Sequence, residues 1–243
     1  MESPPRAVNA GTRVVTSAAN GLLVVLLTGW AMRRPLALDG LHVVRASVLF
    51  VAIMALAIRQ LPRHHPFAQF GPANQVTTLR AALVCLVASF LGVDPSPAIA
   101  STAAGLATLV TALDGADGWL ARRSGMASTF GARFDMEIDA LLILVLSLLA
   151  WHQEKAGAWV VLSGAWRYLF MAGGRLVAWM RRPLPASRRR QTVCVVQVAA
   201  LIVVLLPIIQ ARLSVAIAAT ALAALTWSFA VDTAWLWRNA GTR

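Results

Sequence analysis

The chain reads as an all-α, polytopic integral membrane protein: a core of six transmembrane helices preceded by one or two extra N-terminal hydrophobic helices. Three observations predict this class. Of 243 residues, 58% are hydrophobic and 13% charged, where a soluble domain carries about a quarter charged residues. Apolar runs of roughly 17–25 residues, long enough to cross the hydrocarbon core, recur along the chain. The net charge of +12 comes from 22 basic residues, all arginine except Lys155. Most of these sit in short connections between apolar runs, which marks cytoplasmic loops rather than a nucleic-acid surface. They also attract anionic lipids and phosphorylated metabolites.

The first run covers about residues 14–32. Arg6 and Arg13 precede it in the manner of a signal peptide, but Arg33-Arg34-Pro35 is a poor cleavage site, so an uncleaved span is expected. The second run, about 42–59, is short and carries Arg45. A polar, proline-punctuated stretch at Pro62–Pro72 then separates an N-terminal hydrophobic extension (1–65) from the core (66–243). Six runs follow, at about 76–93, 97–113, 132–151, 158–180, 191–210 and 213–236.

Loop charge orients them. The connections at 94–96 and 152–157 hold no net positive charge, whereas the alternate ones hold Arg59 and Arg63, Arg122 and Arg123, Arg181, Arg182 and Arg188–Arg190, and Arg238 and Arg243. The arginine-rich side faces the cytoplasm, with Arg33, Arg34 and Arg212 as exceptions. This predicts a protein of the inner cell membrane with its chemistry on the cytoplasmic side. Cys85 and Cys194 lie in apolar runs and read as inert thiols. His64 and His65 are adjacent, do not share a helix face, and read as a solvated pair.

The segment Asp114–Asp139 holds five of the ten acidic residues. Carboxylates at a bilayer are costly and mark a functional site by default. Asp114, Asp117, Gly118 and Ala121 fall at i, i+3, i+4 and i+7; Gly131, Asp135 and Asp139 fall at i, i+4 and i+8. Each set lines one helix face, so two helices aim four carboxylates at one point. Hard oxygen ligands without histidine or cysteine suit Mg²⁺ or Mn²⁺, with two ions expected, and disfavour Zn²⁺. Gly118 and Gly131 let a base or phosphate approach the backbone, and Arg122 matches a phosphate bidentately. The residues point to metal-assisted phosphoryl-type transfer at the membrane surface. A salt-bridged loop of the same acids with Arg122, Arg123 and Arg133 is the bland alternative; five acids around so few loop residues exceed what topology needs.

The pattern D-x-x-D-G-x-x-A-R, eight residues, then G-x-x-x-D-x-x-x-D resembles the signature of the CDP-alcohol phosphotransferase (CDP-alcohol phosphatidyltransferase) family. Asn74, Thr77 and Arg80 resemble its first-helix pattern N-x-x-T-x-x-R, and the likeness covers roughly residues 70–236. The resemblance implies transfer of a substituted phosphate from a CDP-linked donor, CDP-diacylglycerol in lipid synthesis, to an alcohol with release of CMP. It implies Asp114, Asp117, Asp135 and Asp139 as metal ligands, Asp139 also as the base, and Gly118, Ala121, Arg122, Gly131, Asn74 and Thr77 around the CDP moiety. It implies a homodimer. Glu137 falls on another helix face and reads as a helix-interface charge, and Gly173-Gly174 as close packing. Arg133, Arg167 and Arg175, predicted within spans, are the acceptor-binding candidates, with glycerol phosphate or inositol phosphate as acceptor and serine, choline or ethanolamine still open. A divalent-cation carrier is the alternative from another class. It would place charges near the midplane on broken, repeated helices, which this chain does not show. A family member that has lost activity is disfavoured by the intact motif.

Overall fold

In a computed structural model the backbone is described at residues 6–64, 70–124 and 128–240, and the side chains at 13–60, 70–115 and 128–240. The described residues form α1 (Arg6–Arg33), α2 (Leu41–His64), α3 (Pro72–Ala88), α4 (Pro97–Ser124), α5 (Thr129–His152), α6 (Leu162–Leu176), α7 (Arg188–Leu205) and α8 (Ala211–Arg238), with no strand among them. Single 3₁₀ turns at Ala158–Val161 and Ala178–Arg181 flank α6.

Among the described residues, four segments are long and apolar enough to cross a membrane: Arg13–Arg33, Leu41–Gln60, Pro97–Gly115 and Ala211–Arg238. Their outward faces stay apolar, with Leu23, Leu27 and Trp30 on α1 and Val44, Val48 and Val51 on α2 all exposed, as lipid contact requires. The other helices fall short for physical reasons. At 17 and 15 residues α3 and α6 are brief. α5 carries Arg133, Asp135, Glu137 and Asp139, and α7 opens on three arginines. The single run expected at 158–180 is broken, because Val177 turns extended (φ −117°, ψ 116°) and stops α6.

Two compact units divide the chain: Met1–Asp94 with Gly105–Asp139, and Pro95–Ala104 with Ala140–Arg243. In the first, α1, α2 and α3 pack against one another. Gly71 (φ 72°) precedes α3 and Pro72 opens it, a start that needs no amide donor. From Arg80 to Val87 every α3 side chain is buried, as expected of a helix apolar nearly all round. Phe50 and Met54 of α2 and Val25 of α1 are buried in the same unit. His42 ties the α1–α2 turn, its ring nitrogens reaching the carbonyls of Asp39 (2.6 Å) and Gly29 (2.9 Å).

In the second unit α8 packs along α7 and α6. Trp166 Nε1 donates to Thr226 Oγ1 at 2.9 Å and its ring stacks on Phe229. Lys155 donates to the carbonyls of Leu206 and Ile209 beyond α7, where a cation suits the helix end. Gly173 is close-packed as expected, though against Met180 of its own following turn rather than another helix.

Asp232, buried on α8, accepts from Arg189 Nη2 at 2.5 Å and Arg190 Nη1 at 3.4 Å, while Arg189 Nη1 also donates to Ser228. Two arginines read from sequence as loop charges therefore close onto an acid in α8. Removing one partner of a buried pair costs about 3–5 kcal/mol, and the partial solvent access of both arginines puts Asp232→Ala at the lower end, about 3 kcal/mol. Thermal melting in neutral detergent checks this; an unchanged midpoint would show that the clasp contributes nothing.

A carboxylate centre gathered by Arg80

The site lies within the first unit and is built from three helices. α4 supplies Asp114, α5 supplies Asp135 and Asp139 one turn apart, and α3 supplies Arg80. Arg80 Nη1 bonds Asp114 Oδ1 at 2.8 Å and also Asp135 Oδ1, while Nη2 bonds Asp139 Oδ1. One carboxylate oxygen from each aspartate lies within 4.8 Å of the others. The arginine side chain is 1% exposed, whereas those of Asp114, Asp135 and Asp139 are 38%, 36% and 32% exposed. The guanidinium thus closes the site from inside, and the carboxylates remain open to an ion or ligand from outside.

The other walls are fixed locally. Ser128 Oγ accepts the Gly131 amide at 3.0 Å, an N-cap bond that starts α5. Phe130 packs between Phe70 and Phe134, with centroids 6.2 and 5.8 Å away, and draws the start of α5 to that of α3. Asn74 is held there by its Nδ2 bond to the Phe70 carbonyl at 2.5 Å, and Thr77 by its Oγ1 bond to Ala73 at 3.1 Å. A Cβ on Gly131 would stand 2.7 Å from Asn74 Oδ1, closer than packing allows. Gly131→Ala must therefore shift Asn74, and a displacement of about 1 Å at such a site costs on the order of 100-fold in rate. Measured turnover equal to the parent would show that Asn74 has no positioning to lose.

The structure gathers Asp114, Asp135 and Asp139 on Arg80 and sets Gly131 against Asn74, while Thr77, on the same helix as Arg80, bonds back to Ala73. α4 runs through Asp117, Gly118, Ala121 and Arg122, whose side chains lie outside the described residues. Arg133 sits two residues before Asp135, on the far side of α5. Arg167 and Arg175 lie two turns apart on α6, in the second unit. Arg80 as the hub is the addition. Its sequence signal is an arginine inside an apolar helix, which demands an acidic partner.

The donor set suits a hard divalent cation. Three carboxylates against one guanidinium leave two formal negative charges among the described side chains, and the oxygens already lie close enough to share an ion. Helices of membrane-spanning length and apolarity, together with a half-open acidic centre that could hold a metal ion, define the class of an integral membrane protein with a polar site. Residues 70–231 match the model of the CDP-alcohol phosphatidyltransferase family, and the chain belongs to that family. It is thereby a transferase of substituted phosphate groups, of a family that acts in membranes on CDP-alcohol donors and generally depends on divalent cations. No curated protein and no solved structure matches the chain.

Proposed function

We propose that the protein transfers a phosphatidyl group from CDP-diacylglycerol to a small polar alcohol, with glycerol phosphate or inositol phosphate as the favoured acceptor, and releases CMP. The observation that carries this reading is the convergence of Asp114, Asp135 and Asp139 on Arg80. The acceptor oxygen forms a bond to the phosphorus bearing the diacylglycerol, the bond from that phosphorus to the CMP oxygen breaks, and Asp139 takes the acceptor's proton. Asp114, Asp117, Asp135 and Asp139 would hold two ions of Mg²⁺ or Mn²⁺, which when bound screen the diphosphate and its developing charge. Gly118, Ala121, Arg122, Gly131, Asn74 and Thr77 would shape the CDP pocket. Arg133, Arg167 and Arg175 remain the acceptor candidates on charge.

In this reading a six-helix core from residue 66 follows the N-terminal extension, the protein works as a homodimer in the inner membrane, and arginine-rich connections keep the centre cytoplasmic. The test is CMP release. Purified protein with CDP-diacylglycerol is offered glycerol phosphate, inositol, inositol phosphate, serine and choline in parallel. CMP is expected with a phosphorylated acceptor, lost in EDTA and restored by Mg²⁺ or Mn²⁺. Turnover that survives EDTA would remove the metal assignment. Absence of CMP with every acceptor, alongside cation flux into proteoliposomes, would favour a carrier instead.

A further inference from the structure

α1 lies outside the family match, yet it shapes a cavity with the helix that carries Arg80. The cavity holds about 440 Å³, within the roughly 300–1,000 Å³ of small-ligand sites. Arg13, Thr16, Ser17 and Asn20 line it from α1 at i, i+3, i+4 and i+7, a single polar face on an otherwise apolar span. Gln75 and Thr78 face them from α3. None of the clustered aspartates lines it.

The register of the two helices gives the cavity a direction. A Cβ on Gly21 would meet Thr78 at 3.3 Å, and one on Gly29 would meet Leu86 at 3.4 Å. Eight residues on one helix match eight on the other, so α1 and α3 run parallel. Arg13 therefore stands level with the start of α3, and Val24 and Leu79 form the deeper, apolar floor. One cation and several neutral hydrogen-bonding groups lie at one end, with an apolar floor at the other. That suits a phosphate ester carrying hydroxyls: the guanidinium matches the phosphate, and the hydroxyl and amide side chains match the alcohol groups.

We propose that the α1–α3 cavity binds the hydroxyl-bearing phosphate-ester headgroup of an anionic phospholipid, at a site separate from the carboxylate centre. Gln75 and Thr78 interleave on α3 with Asn74 and Thr77, so an occupant bears directly on the helix that positions Arg80.

The test reads binding, not turnover, and so stands or falls apart from the proposed reaction. The full chain in neutral detergent is melted with phosphatidylglycerol, with glycerol 3-phosphate, or alone. Saturating phosphatidylglycerol is expected to raise the midpoint by about 5 °C. Asn20→Leu, which replaces a lining amide with an apolar branch, and Arg13→Gln, which removes the cavity's cation, should each reduce that rise to under about 2 °C. Thr16→Val serves if Asn20→Leu fails to fold, since it changes a hydrogen bond and almost no volume. A rise with glycerol 3-phosphate alone that the same variants abolish would keep the ligand chemistry and overturn the lipid as its source. A rise untouched by the variants, or none with either ligand, would overturn the site.

Discussion

Asp139→Asn is expected to reduce phosphatidyl transfer by about 100-fold to 10,000-fold while the protein inserts and purifies like the parent. Asparagine keeps the shape of the side chain, and its Oδ1 can still accept from Arg80 Nη2, so the α3–α5 contact survives. What it loses is charge and basicity: it cannot take the acceptor's proton and is a poor ligand for a hard cation. The check is CMP release beside yield and retention volume in detergent. Turnover at the parent's rate would strip Asp139 of its role, whatever becomes of the other three acids.

Arg80→Gln should be the most damaging substitution for stability. The side chain is 1% exposed and is the shared partner of three carboxylates drawn from two other helices. Without it, like charges within 4.8 Å of one another lose their shared counter-charge. Removing one partner of a buried ionic cluster costs about 3–5 kcal/mol, which for a chain of this size moves the melting midpoint by roughly 10 °C. Because the deficit is one of positive charge, Mg²⁺ or Mn²⁺ should restore more of the midpoint in the variant than in the parent. Arg80→Lys should recover stability only in part, since a point charge cannot engage Asp135 and Asp139 with two separate nitrogens. A variant that melts with the parent in EDTA would show that Arg80 only fills space.

The helices themselves were legible from hydropathy, because apolar length is a local property. Their ends were less so. Hydropathy falls at Asp114, yet α4 continues to Ser124, since backbone hydrogen bonding does not stop where the apolar stretch does. The acids consequently lie on helices rather than in a loop. α3 begins at Pro72, ahead of the apolar run, because its opening turns carry the polar stretch Asn74–Thr78, which hydropathy alone does not assign to a span. The acidic pattern was legible from spacing alone. The partner of the acids was not: Arg80 is separated from Asp135 by 55 residues, and Arg189 from Asp232 by 43, and no local periodicity reports such pairs. The face that α1 turns to α3 was hidden for the same reason.

The distance along the chain between Arg80 and its acids has a consequence for biogenesis. Translation reaches Arg80 59 residues before Asp139, an interval of about 3–12 s at ~5–20 residues per second. Throughout that interval the nascent α3 carries a guanidinium whose last counter-ion has not yet been made. α1 and α2 are already synthesised and offer a berth that hydrocarbon does not. Their packing against α3 in the folded protein makes them that helix's first available neighbours during the interval.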